Sequence, residues 1–299
     1  MGIIRTVLGD IAPESLGPTL THEHLVVDLR RCHPGYADAL SAIVDPMLPH
    51  LAVVREQGIR TLVECTPTHL GRHAEAYREL SRQSGLNVVM SCGTYRDGWI
   101  PDSVRAMPAP ALADWYADGI RQGAGLIKLG CDPDGPSEVE SRCARAAGAA
   151  SATTGCLVAC HLGSAAPTWR VLDEFEAGGG DPSRFVVAHL QAERDLTAHT
   201  ALARRGAWLG YDCIGAVPAD DLYVELIRRR ADAGLLDHLL ISQDACAYLV
   251  GDDGTVSRHH RFDYLLRRFI PALRDAGISA EEVETLLVHN PARALAIRG

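Results

Sequence analysis

Five side chains suited to holding a cation stand at the ends of short apolar runs. His22 and His24 form a His-x-His pair, and Ala159-Cys160-His161, Val187-Ala188-His189 and Ser242-Gln243-Asp244 each end in one more donor. Residues two apart share one face of a strand, so the imidazoles of His22 and His24 are expected to point the same way, with Glu23 turned outward toward a helix layer. A lone strand histidine is ordinarily a hydrogen-bonded core residue, and a His-x-His pair alone fits either reading. Four histidines and one aspartate at the ends of four runs are hard to attribute to packing. Imidazole and carboxylate donors suit Zn²⁺, Mn²⁺, Fe²⁺ or Co²⁺; zinc is the first expectation, and spacing does not choose among them.

Lys128 lies in the apolar run Leu126-Ile127-Lys128-Leu129-Gly130. A buried ammonium loses its charge or finds a partner. A neutral lysine amine can take up CO₂ to give a carbamate, whose two oxygens can bridge two cations. A lysine reaching solvent and a Schiff-base lysine fit the same spacing; the five donors around it favour the carbamate.

Other side chains have weaker claims. Tyr95, after Cys92-Gly93-Thr94, is expected either to reach across the site as a catalytic helper or to form an aromatic lid. Arg96 is expected to face solvent. Arg258-His259-His260-Arg261 reads as an anion-binding loop or, better, as the solvated start of the last large helix. Cys213 and Cys246 read better as apolar filler than as pocket lining.

The elements that must position these residues form a regular series. Strand-like runs fall at Thr19–Val27, Thr61–Thr66, Asn87–Tyr95, Leu126–Cys131, Cys156–Gly163, Phe185–Leu190, Ala207–Cys213 and Leu239–Asp244. Between them, Pro136–Ala149, Ser164–Ala177 and Ala219–Ala233 carry helical spacing and stop signals, and a helix is expected over Ser279–His289. Strands alternating with helices imply one closed parallel α/β barrel, a (β/α)₈ barrel of the TIM type, spanning residues 1–299 as a single domain. A doubly wound open sheet would show a glycine-rich phosphate loop after its first strand, and none is present. In such barrels the chemistry gathers at the C-terminal ends of the strands, where the four histidines and Asp244 fall, with Lys128 in the middle of its strand facing the same mouth.

Composition narrows the class. The formal net charge of −9, with 29 Lys+Arg against 38 Asp+Glu, argues against nucleic acid as a partner, because phosphate binding needs a concentrated basic face. A mean hydropathy of −0.01 and the absence of an apolar run near 18–20 residues argue against a membrane-spanning chain. Nine cysteines without a paired spacing suggest free thiols in a reducing cytoplasm. The opening Met1-Gly2-Ile3-Ile4-Arg5-Thr6 matches a loose myristoylation pattern and reads better as a short apolar strand.

The segment Leu16-Gly17-Pro18-Thr19-Leu20-Thr21-His22-Glu23-His24-Leu25 resembles the signature of the phosphotriesterase family in the amidohydrolase superfamily. Ala124-Gly125-Leu126-Ile127-Lys128, Val187-Ala188-His189, Ser242-Gln243-Asp244 and Asn290-Pro291-Ala292-Arg293 resemble the same family, so the likeness runs from Leu16 to Arg293. It implies a binuclear centre: His22, His24 and Asp244 on the more buried metal, His161 and His189 on the more exposed one, carboxylated Lys128 and a hydroxide bridging them. It also implies that Asp244 handles the proton of the attacking water, and that Tyr95 resembles the tyrosine beside the substrate in lactonases of the family.

The resulting expectation is a metal-dependent hydrolase of a lactone or other carboxylic ester, with weak phosphotriesterase side activity. An N-acyl deacylase on the same centre and a non-catalytic metal-binding barrel are the alternatives. A small-molecule substrate is expected, with neither nucleic acid nor membrane as partner. A homodimer is the expected assembly, since symmetric dimers are the commonest oligomers.

Overall fold

The computed structural model describes residues 2–30, 40–162, 168–216, 219–250, 256–259 and 262–298. Eight strands build the central sheet: β1 (Thr19–Glu23), β2 (Thr61–Glu64), β3 (Asn87–Gly93), β4 (Leu126–Cys131), β5 (Leu157–Leu162), β6 (Phe185–Ala188), β7 (Trp208–Tyr211) and β8 (Leu239–Ile241). They are parallel and lie side by side in chain order. The first and last strands meet through Thr21 Oγ1, which donates to the Ile241 carbonyl at 3.1 Å, and through the Asp244 N–H, which donates to the His22 carbonyl at 3.1 Å. The sheet thus curls into the expected barrel, with its helices outside.

Two cores hold it. Inside the barrel, Val63, Cys65, Val89, Leu126, Leu157, Ala159, Val186, Trp208 and Leu240 pack together, capped below by Ile4, Leu16, Ala294 and Leu295. A void of only about 20 Å³ remains inside, so the lumen is a packed core and not a channel. A larger outer core joins the sheet to the helices. Ile4–Thr6, which pairs with Gly9–Ile11, is the short entering strand read from the sequence.

The Pro136–Ala149 expectation appears as Glu138–Thr154, which continues through Gly148 past its expected end; it starts at a capping box, with Ser137 and Glu140 satisfying each other's backbone N–H, and stops only at Gly155 in the left-handed region. The Ala219–Ala233 expectation appears as Asp220–Asp232. Of Ser164–Ala177, the described part is the helix Thr168–Ala177. Ser279–His289 is helical but not uniform, passing from Ala280–Glu284 into a wider π turn, Thr285–His289.

Several expected strands end early. The first stops at Glu23; Val27–Asp28 leaves it to pair with Cys246–Val250, which also pairs with Val256–His259. Arg258 and His259 therefore lie in a strand, not at a helix start, because backbone pairing with Cys246–Val250 holds them extended. His260 and Arg261 lie outside the described residues.

Candidate metal centre

The donors reach the barrel mouth by different routes. On β4, Lys128 stands two residues above the lumen residue Leu126, opposite Gly93 and Ala159 on the neighbouring strands. Both neighbours are small, which leaves space for a long side chain that is nevertheless 98 % buried, at 2 % exposure. Gly93 has φ +126°, and a Cβ there would fall 2.0 Å from the Lys128 carbonyl oxygen, so this position requires glycine. His161 stands two residues above the lumen residue Ala159 by the same alternation.

His189, Cys213 and Asp244 each lie just past the strand expected to contain them, and each has positive φ: 59°, 69° and 49°. Such backbone is uncommon for non-glycine residues and concentrates at functional sites. It explains why β6, β7 and β8 stop short of the expected ends. At His189 it also overrides alternation: Val186 lies in the lumen, so regular alternation would turn residue 189 outward. On β1, a register shift between Leu20 and Glu23 brings both Thr21 and His22 to the lumen.

The four imidazoles share one arrangement, with one ring nitrogen bonded to a supporting side chain and the other turned to a fellow donor. His22 Nδ1 and His189 Nδ1 meet the two oxygens of Asp212 at 2.6 and 2.5 Å. His24 Nδ1 meets Thr66 Oγ1 at 2.8 Å, and His161 Nε2 meets the Tyr95 hydroxyl at 3.3 Å. On the inner side, His22 Nε2 lies 2.7 Å from Lys128 Nζ and 3.8 Å from Asp244 Oδ1. His24 Nε2 lies 3.2 Å from Asp244 Oδ1, and His189 Nε2 lies 2.8 Å from His161 Nδ1 and 4.0 Å from Asp244 Oδ2. Electron-pair donors converge here with their opposite ends fixed, which is what a metal site and its supporting hydrogen bonds require. His22, His24 and Asp244 are grouped closely enough to share one ion. The side chains of His22, His189, His24 and Asp244 are 6 %, 11 %, 17 % and 23 % exposed.

Electrostatics favour unprotonated His22 and His161. Burial, reinforced by Lys128, pushes His22 down to about 4, and burial lowers His161 well below the ordinary histidine value. Burial also pulls on His189, but contact with Asp212 outweighs it and leaves that imidazole raised. Burial alone would lift the Asp212 and Asp244 carboxyls; the surrounding histidines overcome it and hold both well below the usual carboxylate range.

Sequence reading missed the supporting layer. Asp212 follows the lumen residue Trp208 and Gly210 at period two, which was the available signal. Its Oδ1 also accepts the backbone N–H of His189 at 2.9 Å, so one carboxylate braces two imidazoles. Behind His24, Thr66 Oγ1 also contacts buried Glu64 at 2.5 Å, and burial raises the Glu64 carboxyl to about 7. Glu23 does turn away from the cavity, yet it serves the seam between β1 and the end of β8 more than the helix layer. It accepts from Ser242 Oγ at 2.7 Å and from the N–H groups of Gln243 and Ala245 at 3.2 and 2.7 Å. Those two backbone donors sit beyond β8, where the strand ladder has ended, and a carboxylate can satisfy both.

Among the lesser candidates, Arg96 is part-buried and bonds Asp132 at 2.6 Å, so it does not simply face solvent. Cys213 is more than filler: Sγ lies 3.4 Å from both His189 Nδ1 and Asp244 Oδ2. Cys246 is buried and lines a cavity of about 260 Å³ over the donors. Val27, Leu29, Pro67, Leu70 and Leu249 form much of its wall, while His24, Tyr95, Lys128, His161, His189 and Asp244 lie toward its floor. Among the described residues, no helix is long and apolar enough to cross a membrane.

The profile of the Phosphotriesterase family matches residues 2–295. The chain belongs to the phosphotriesterase family. Within that family it is 28 % identical to a phosphotriesterase homology protein of Escherichia coli K12, over 93 % of this chain and 97 % of the relative. It is 26 % identical to the N-acetyltaurine hydrolase of Danio rerio, over 99 % of each chain. A triple mutant of the organophosphorus hydrolase from Deinococcus radiodurans superposes with a TM-score of 0.87 at 25 % identity, covering 98 % of this chain and 97 % of that one. Family membership and the His/Asp cluster together make the chain a metal-dependent hydrolase of the phosphotriesterase family.

Proposed function

We propose that the chain hydrolyses a carboxylic ester, with a lactone as the preferred form, at a binuclear centre held by His22, His24, Lys128, His161, His189 and Asp244. The arrangement that carries this reading is the four-histidine set, each ring fixed by a hydrogen bond to a supporting side chain with its other nitrogen turned toward Lys128, Asp244 or a second histidine. Two divalent ions, zinc first among the candidates, would polarise the substrate carbonyl there and lower the pKa of a water. Lys128 is assigned as a carbamate: its neutral amine forms an N–C bond to CO₂, a proton leaves to solvent, and the anion offers two oxygens. Asp244 is assigned as the group that accepts the proton of the attacking water, since its carboxylate stays ionised and borders the cavity. Tyr95 fixes His161 through its hydroxyl and borders the substrate with its ring.

The apolar wall supports an ester with a compact apolar substituent, since burial of that substituent favours binding. Apart from Lys128, assigned as the carbamate, no lysine or arginine is among the described residues lining the cavity. Amide hydrolysis is the second reading, favoured by relatives named N-acetyltaurine hydrolase. We take the protein to act in the reducing cytoplasm; all eight described cysteines are free thiols. A kcat/KM panel on the zinc-loaded protein tests the ranking, with lactones, aryl esters, N-acyl amides including N-acetyltaurine, and a phosphotriester. Lactones or esters are expected to lead and the triester to trail. An N-acyl amide turned over faster than every ester transfers the assignment to the second reading, and a leading triester overturns both.

A further inference from the structure

Glu64 is a buried carboxyl one side chain removed from His24. It ends β2, where Val63 and Cys65 face the lumen, so alternation turns Glu64 to the opposite face. Thr66, two residues on, follows it, and both are fully buried. A carboxylate so placed needs donors, and three reach it. The N–H groups of Leu25 and Thr66 donate to Oε1 and Oε2 at 3.3 and 3.2 Å, and the Thr66 hydroxyl donates to Oε1 at 2.5 Å. The last distance is that of a hydroxyl donating to an ionised carboxylate. The hydroxyl has one hydrogen. Its other neighbours are the Val26 carbonyl at 2.9 Å, which can only accept, and His24 Nδ1 at 2.8 Å. With that hydrogen committed to oxygen acceptors, the hydroxyl offers His24 only lone pairs. His24 Nδ1 must then carry the ring proton and donate it, which leaves Nε2 as the bare nitrogen, 3.2 Å from Asp244 Oδ1.

We propose that Glu64 is a positioning residue: through Thr66 it fixes the proton of His24 on Nδ1 and presents Nε2 to one metal ion, the ion that His24 can share with His22 and Asp244. The hydrogen bond made by one ring nitrogen sets which nitrogen of a ligand histidine is free for the metal, and a carboxylate behind it raises the ring's basicity. Asp212 braces His22 and His189 by direct contact, whereas Glu64 reaches a single ring through a hydroxyl. Its loss should therefore be felt by one ion and not by the ion on His161 and His189. The count of two ions rests on the binuclear assignment above; the His24 tautomer does not.

Zinc titration of the full-length protein against a competing chelator reads the Kd of each ion. Thr66→Val removes the hydroxyl and keeps both backbone donors on Glu64. It is expected to weaken one ion by about 10–100-fold, the usual scale for a group supporting a metal ligand, and to leave the other unchanged. Thr66→Ser returns the hydroxyl and should restore the weakened Kd. Glu64→Gln cannot accept at both oxygens and should weaken the same ion; should that variant not fold, the two Thr66 variants decide alone. Equal weakening of both ions in Thr66→Val would mean that the mouth has merely loosened, and the inference fails. An unchanged Kd in Thr66→Val, or no recovery in Thr66→Ser, also overturns it. Nitrogen-15 spectra of the zinc-loaded protein give a reading independent of affinity: the His24 proton is expected on Nδ1, and zinc on Nδ1 with the proton on Nε2 refutes the assignment. A wild type that binds one ion defeats the binuclear assignment alone, and the role of Glu64 then requires that ion to weaken in Thr66→Val.

Discussion

The two ends of the barrel handle buried polarity in opposite ways. At the C-terminal mouth, charged and polar groups are crowded together, yet each imidazole has a partner on both ring nitrogens and Asp212 serves two of them. At the other end, Leu126, Leu157, Val186, Trp208 and Leu240 fill the lumen, and Arg184 is buried without an acceptor among the described residues. Networks of this kind hold their members rigidly when every member is satisfied. The mouth is therefore fixed by hydrogen bonds and electrostatics, and the lower lumen by volume. Damage at the two ends should have different signatures.

Lys128→Ala gives the largest separation. It removes the side chain facing His22 Nε2 and the assigned bridge, so binding of the metal pair should be lost and kcat/KM should fall by more than about a thousandfold, the scale of losing a charged group that acts directly in the chemistry. Lys128→Arg should not restore it, because a guanidinium stays protonated and cannot be carboxylated; a short carboxylic acid in the medium should restore part of the Lys128→Ala loss. Elemental analysis and native mass spectrometry check this, and an active, fully metallated wild type with unmodified Lys128 contradicts the bridging assignment.

Asp212→Asn should act less severely. An amide cannot accept from both His22 and His189 through two carboxylate oxygens, so metal affinity or activity should drop about 10–100-fold, the usual scale for a residue supporting ligands. Metal titration measures it, and unchanged affinity would show that the two histidines are held without their shared brace. The smallest effect on the site should come from the lower lumen. Leu157→Ala should lower stability by about 2–5 kcal/mol through lost burial and a cavity, while metal stoichiometry stays constant and kcat/KM changes less than about twofold, since the variant touches no donor. Denaturant melts alongside metal analysis decide this, and lost metal at intact folding would mean that the two ends are coupled through the strands.

The sequence by itself determined the alternation of strands and helices and the placing of the donors at or just past strand ends. Those are local properties, because alternation within one strand places Lys128 above Leu126 and His161 above Ala159 without reference to the rest of the chain. Tertiary structure alone decided which groups meet across strands. Asp212 joins His22 to His189 only because β1, β6 and β7 come together around a nearly closed barrel, and Glu23 finds Ser242 and Ala245 only where the first strand meets the last. The positive φ of His189, Cys213 and Asp244 was equally hidden, since no residue type there demands it. Such backbone is uphill for a non-glycine residue and persists where surrounding contacts hold it, and those contacts come from neighbouring strands distant in sequence.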